Sequence, residues 1–239
     1  MALPIVIDEE VEAAYSIYRD ITKRKFSEKE LLKSIRKIRR IWVQTLRLVT
    51  AIIEKRDPSI AGHHRRVAAL CRAMALRMEL SSSRRSALRF AACLHDIGKI
   101  QIPSEILSKP GRLTDLEFGL IKGHVETGYK LLKEIDLPAD VAEIVRQHHE
   151  RMDGSGYPRG LHGDEVLIEA RILAVADVVE AMSSHRPYRA APGLEKALDE
   201  ISDGRGVLYD PAAVDACISV FREGFSLERL DQSGRLEMR

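Results

Sequence analysis

Apolar residues recur along this chain at steps of three and four, with almost no strict alternation, and that periodicity predicts a protein built of α-helices. Ser27 followed by Glu30 reads as a capping-box start for a helix running to about Arg56, where Asp57 and Pro58 end it and open the next. Further helices are expected over 60–80, 82–96, 114–133, 139–149, 166–183, 193–202 and 211–221, with Thr114 and Glu117 as a second capping box. Two long loops interrupt the pattern, at 98–110 and at 150–165, the second dense in glycine. Loops of that length inside a helical protein usually carry function.

In the first long helix, Leu31, Ile35, Ile38, Trp42, Thr45, Val49 and Ile52 step by 4, 3, 4, 3, 4, 3, the heptad seam of a coiled coil. The seam predicts a homodimer contact. From Ile41 onward the apolar face widens to include Leu46, Leu48 and Ile53, enough to touch the following domain as well. The basic residues between Arg19 and Arg40 read as a solvated face.

Composition narrows the function. With 239 residues, 45% hydrophobic and 31% charged, the chain can bury a sizeable core and is not a disordered protein. Lys+Arg 38 against Asp+Glu 36 leaves +2, which gives no electrostatic case for nucleic acid or an anionic membrane as the main partner. No run of 18 apolar residues occurs and MALPIVIDEE lacks the basic start of a secretory signal, so a cytoplasmic protein is expected. Cys71, Cys93 and Cys217 are odd in number and embedded in apolar helical patterns, and read as buried free thiols.

The chemistry concentrates in histidines and aspartates. His95 is followed at once by Asp96, His148 by His149, and His63 and His124 stand alone on expected helices. Asp177 lies in the apolar run ARILAVADVV, where an unpaired carboxylate is costly enough that a metal or cationic partner is expected. Mixed imidazole and carboxylate donors suit Fe, Mn, Ni or Zn, and one bridging carboxylate lets two ions form a clamp for phosphoryl chemistry.

HDIGK (95–99), IKGH (121–124), HHERMDGSGYP (148–158) and ADVVEAMSSHRPYR (176–189), in that order, resemble the HD-GYP family of the HD-domain phosphohydrolase superfamily. RDPSIAGHHRRVA (56–68) and GVLYDP (206–211) also fit, so the likeness spans about 50–222. It implies an all-α HD-domain helical bundle over 50–222; the heptad seam makes 1–49 an N-terminal coiled-coil-like region, and 223–239 remain as a tail. It further implies metal ligands at His63, His95, Asp96, His124, His148, His149 and Asp177, with Asp96 bridging two divalent transition metals, Fe or Mn ahead of Ni or Zn.

The implied activity is a cyclic di-GMP phosphodiesterase yielding pGpG, and with further cleavage GMP, by a hydroxide bridging the metals. Asp96 and Lys99 would be catalytic, Lys99 stabilising charge on the phosphoryl group, while Gly156, Tyr157, Arg186 and Arg189 would contact the dinucleotide. Two alternatives stand beside it: a non-catalytic cyclic di-GMP sensor, or hydrolysis of another cyclic dinucleotide. A diguanylate cyclase or sensor protein is a further partner to consider. Departures from the family pattern are Glu180 and His185 in place of Asp, and Ser59 where three-metal members carry Glu, which favours two metals. His64 and His162 match no ligand position and read as surface residues.

Overall fold

The computed structural model describes residues 2–7, 10–16, 20–56, 62–109, 111–138, 140–184 and 191–227. The chain divides into two units, 1–46 and 47–239. The first opens with an antiparallel hairpin, β1 (Ala2–Ile7) and β2 (Glu10–Ser16), pairing Ala2 with Ser16 and Ile7 with Glu10, with a register irregularity between Ile5 and Val6. These strands were not expected from the sequence, because the run LPIVI is apolar without alternation and no Gly-containing turn pair marks the connection.

The long helix α1 (Thr22–Arg56) starts a full turn before the expected Ser27 boundary. The reason is local: Asp20 Oδ1 accepts the Thr22 backbone N–H at 2.9 Å and so satisfies a donor at the helix start. The seam residues Leu31, Ile35, Ile38 and Trp42 are exposed on this helix. Asp57 and Pro58, expected to separate it from the next helix, lie outside the described residues, as do Ser59 and 185–190.

The second unit is all helical among its described residues. It comprises the end of α1, then α2 (His63–Arg77), α3 (Ser82–Leu94), α4 (Ser104–Leu107), α5 (Asp115–Lys122), α6 (His124–Leu132), α7 (Val141–Gln147), α8 (Ile168–Ser183), α9 (Leu194–Asp203) and α10 (Pro211–Arg222). Short 3₁₀ turns occupy Ile97–Gln101 and Gly163–Glu165. The helix expected over 114–133 is in fact two, because Gly123 closes α5 with its N–H on Leu120 O at 3.1 Å and His124 opens a new helix. The capping box does form: Glu117 N–H donates to Thr114 Oγ1 and Thr114 N–H donates to Glu117 Oε2 at 2.8 Å. Asp210 and Pro211 start α10 as N-cap and N1, with Asp210 Oδ1 accepting Ala213 N–H at 2.9 Å.

Helix α8 is the spine, packed against α2, α3, α7, α9 and α10. Its residues Ile172, Leu173, Val175, Ala176 and Val179 are fully buried, as a helix apolar on nearly every face must be. Burying each large aliphatic side chain contributes about 1.5–3 kcal/mol. Small residues on the neighbours, Ala68 and Ala75 of α2 and Ala87, Ala91 and Ala92 of α3, let the helices approach closely. Cys71, Cys93 and Cys217 are free thiols; burial pushes Cys93 up to about 11 and Cys217 up to about 12, so both stay protonated. No helix among the described residues is long and apolar enough to cross a membrane.

Candidate metal centre

The ends of four helices and the middle of a fifth converge on one buried point. His63 is the first residue of α2, His95 and Asp96 follow α3, His124 opens α6, His148 and His149 follow α7, and Asp177 projects from mid α8. Placement at helix ends has a consequence for the imidazoles, because the last carbonyls of a helix lack intrahelical partners. His95 Nδ1 donates to Ala92 O at 3.0 Å, His124 Nδ1 to Ile121 O at 2.7 Å and His148 Nδ1 to Val145 O at 2.6 Å. A carbonyl only accepts, so each Nδ1 carries the proton and each Nε2 presents a lone pair.

Burial keeps these rings neutral. It lowers His95 to about 4 against the opposing pull of Asp96 and Asp177, lowers His124, and drives His148 well below the usual range, with the neighbouring histidines adding to it. His149 falls to about 3, again chiefly through burial. The Nε2 atoms of His124 and His148 are buried with no hydrogen-bond partner. An orphan buried acceptor costs about 1–3 kcal/mol, and several lone pairs facing one another require a cation between them.

The spacing fits one. Donor atoms about 2.1 Å from a common ion lie roughly 3.0–3.4 Å apart. Here His63 Nε2 is 3.3 Å from His95 Nε2 and 3.2 Å from Asp177 Oδ1, and His95 Nε2 is 3.8 Å from Asp177 Oδ1. His63, His95 and Asp177 thus form one group with metal-ligand spacing, and His124, His148 and His149 another. Asp96 lies between them, with Oδ2 3.6 Å from His95 Nε2 and Oδ1 3.6 Å from His124 Nε2. The donor set therefore fits divalent metal.

Two cations of the protein lie in that field. Burial pushes the His63 imidazole down, but its hydrogen-bonded neighbours Asp177 and Glu180 outweigh burial and hold it at about 9. Lys99 Nζ sits 2.8 Å from Asp96 Oδ2. Asp96 and Asp177 are both held well below the carboxylate range although burial opposes it, Asp96 by Lys99 and His95, Asp177 by His63 and His95.

A supporting layer fixes the rings, and most of it was not foreseen. Glu180, noted in the sequence only as a departure from Asp, is buried; its Oε2 accepts from His63 Nδ1, and its Oε1 accepts from Arg66 Nε and Ser184 Oγ, each at 2.6 Å. Its longer arm from α8 reaches the first turn of α2. Gly98 is required where the 3₁₀ turn meets α6, since a Cβ there would lie 1.9 Å from His124 O and 2.7 Å from Gly128 N. His64 corrects the sequence reading: it is buried, not on the surface, with Nδ1 3.3 Å from Glu54 Oε1 and Nε2 3.8 Å from Asp96 Oδ2. His162 is exposed, as expected.

The glycine-rich loop forms the rim. Buried Glu150 organises it, accepting Arg159 N–H at 2.8 Å and Leu161 N–H at 3.0 Å. Tyr157 stacks on His149 with ring centroids 4.8 Å apart, and Lys122 Nζ lies 5.3 Å from the Tyr157 ring centroid. Burial pushes the Tyr157 phenol up, so it remains a hydrogen-bond donor. The space at Gly156 is taken by the chain itself rather than kept open for a ligand: a Cβ would lie 2.4 Å from Glu150 Cα and 2.5 Å from His149 O. Arg186 and Arg189 lie outside the described residues.

A family model described as HD domain matches residues 47–213. The chain belongs to the HD-domain family. Its HDIGK and HHERMDGSGYP segments are of the HD-GYP type. A cyclic di-GMP phosphodiesterase of Thermotoga maritima is 43% identical over 182 residues, covering 75% of this chain and 50% of that protein. A 3′3′-cGAMP-specific phosphodiesterase of Vibrio cholerae is 36% identical over 183 residues, covering 75% of this chain and 39% of that protein. The chain thus spans half or less of these relatives' lengths. Among solved structures, an HDG“Y”P protein from Bdellovibrio bacteriovorus shares the fold, with a TM-score of 0.55 and 18% identity over 68% of this chain and 52% of that one.

Proposed function

We propose that this HD domain is a metal-dependent phosphodiesterase acting on cyclic di-GMP, with two divalent metals held by His63, His95, Asp96 and Asp177 on one side and Asp96, His124, His148 and His149 on the other. The observation that carries the reading is the convergence of the His95, His124 and His148 Nε2 lone pairs, whose Nδ1–H groups are engaged outward, around a carboxylate that faces both groups. Two bound metals would supply an activated water and Lewis-acid charge for attack on phosphorus. Fe or Mn suits the donor set, with Ni or Zn next.

The chain's own residues do the rest. Lys99, whose Nζ is 2.8 Å from Asp96 Oδ2, would turn its ammonium onto a phosphoryl oxygen of the substrate and stabilise the charge that develops there. Tyr157 offers a hydroxyl to phosphate or a ring face to a base at the rim. His95 and His148 are buried among the helices, so water would be excluded from their side of a bound phosphate. Arg186 and Arg189 follow α8 in sequence and supply guanidinium forks for the second phosphate or a guanine edge. The relatives support the substrate class, and the Vibrio protein favours 3′3′-cGAMP as the second reading. The exposed seam of α1 supports a homodimer.

The test is purification without chelators, elemental analysis, and incubation with cyclic di-GMP and 3′3′-cGAMP in parallel. About two metals per chain and conversion of cyclic di-GMP to pGpG are expected. Metal-loaded protein that binds cyclic di-GMP without cleaving it would instead assign a sensor.

A further inference from the structure

His64 stands next to His63 at the start of α2 and was assigned no role by its sequence position, yet it is buried and its ring packs into the centre. Its centroid is 5.3 Å from that of His63 and 5.2 Å from that of His95, while His63 and His95 are themselves 5.3 Å apart, so the three imidazoles form a nearly equilateral triangle. Glu54, near the C-terminal end of α1, faces the outer edge of this ring with Oε1 3.3 Å from Nδ1. A carboxylate accepts, so Nδ1 carries the proton and Nε2 is left with a lone pair.

That Nε2 is buried, has no hydrogen-bond partner, and looks at Asp96 Oδ2 from 3.8 Å. A lone pair beside a carboxylate oxygen is repulsive unless a cation separates them. Glu54, His64 and the space beyond it have the order of a carboxylate–histidine–metal relay, in which the outer carboxylate fixes the tautomer and raises ligand basicity. His64, His95 and Asp96 also form a third group with metal-ligand spacing.

One imidazole nitrogen binds one ion, so this group and the His63, His95, Asp177 group, which share His95, cannot each hold a separate ion through it. We propose that His64 is a further nitrogen donor to the ion that His95 and Asp96 hold, with Glu54 as its positioning residue. The inference rests on the centre binding metal, as proposed above. The ligand set on that side then carries three imidazoles, His63, His64 and His95, together with Asp96 and Asp177. With three imidazoles and two carboxylates against three imidazoles and Asp96, this side would hold its ion more tightly than the His124, His148, His149 side.

The experiment uses the full chain, stripped of metal and titrated with Co(II), reading the visible absorbance of the bound ion and metal per chain after equilibrium dialysis. His64→Gln and Glu54→Gln are compared with the parent, with circular dichroism and melting of the metal-free proteins as the check on folding. His64→Gln is expected to weaken the tighter Co(II) equivalent at least tenfold and to change its absorbance envelope. Glu54→Gln, a change on a partly exposed side chain that leaves the fold intact, is expected to weaken the same equivalent several-fold. A parent that binds no Co(II) would defeat the metal-centre reading itself. A parent that binds Co(II), with both variants matching it in affinity, stoichiometry and spectrum, would overturn the role of His64 alone. Should His64→Gln fail to fold, the Glu54→Gln titration decides.

Discussion

Replacing Glu180 with glutamine removes a charge and little volume, so its effect measures the support given to His63. Three donors now converge on two carboxylate oxygens: His63 Nδ1 on Oε2, and Arg66 Nε and Ser184 Oγ on Oε1. An amide offers one oxygen and one NH₂, so one side of this network must face a donor. If it is the His63 side, Nδ1 must give up its proton to accept from the NH₂ while Nε2 keeps one, which removes that nitrogen as a ligand. If it is the other side, Arg66 and Ser184 lose this acceptor. Leaving one buried donor group unsatisfied costs about 1–3 kcal/mol, and loss of the charge-assisted bond from Arg66 brings the total to about 3 kcal/mol. For a domain of this size that is a fall of roughly 6–12 °C in the melting temperature of the metal-free protein. Metal affinity should fall about 10–100-fold, the usual range when the outer partner of a ligating histidine is lost. Calorimetry of the metal-free proteins and competition with a chromophoric chelator read the two quantities. A Glu180→Gln protein that matches the parent in both would refute the reasoning, because it would show that His63 is held by its ring packing alone.

Gly98→Ala would drive a methyl group into backbone atoms that no rotamer change relieves; it should cost about 1–3 kcal/mol or more in urea unfolding and release metal from the His124 side, and an unperturbed parent-like titration would count against the close approach described. Lys99→Ala should lower kcat on cyclic di-GMP tenfold or more with metal content unchanged, since its charge is needed most in the transition state; a change in KM alone would reassign it to ground-state binding. Ile38→Glu places a charge in the exposed seam of α1 and should convert a dimer to monomers by sedimentation at micromolar concentration; a monomeric parent would remove the coiled-coil assignment.

Much of this was legible in the residues, and what was not had physical causes. The ligand candidates stand out in the sequence because carboxylates and adjacent imidazoles in apolar helical runs violate the usual pattern, and the structure brings all seven to one point. Helix boundaries followed caps where the caps were chemical, as at Thr114 and Asp210, and failed where a competing group won, as at Asp20 ahead of Ser27. The break at Gly123 carried no propensity signal strong enough to split a periodic stretch, yet it is what puts His124 at a helix start. His64 was misread because a histidine next to His63 has no periodicity of its own; its burial, and its contact with Glu54 ten residues away in another helix, appear only once the helices pack. Glu180 shows the reverse, a substitution visible in the sequence whose meaning depends on the distance from α8 to α2.

The central claim is that the converging imidazoles and carboxylates hold metal in order to cleave a cyclic dinucleotide, and it is tested most directly by following cyclic di-GMP hydrolysis as metal is restored to the stripped chain. The account predicts no turnover in the metal-free protein, activity that rises with bound metal and levels off near two equivalents per chain, and pGpG as the first product. A fully loaded chain that leaves cyclic di-GMP intact, or a stripped chain that cleaves it as fast as the loaded one, would contradict it.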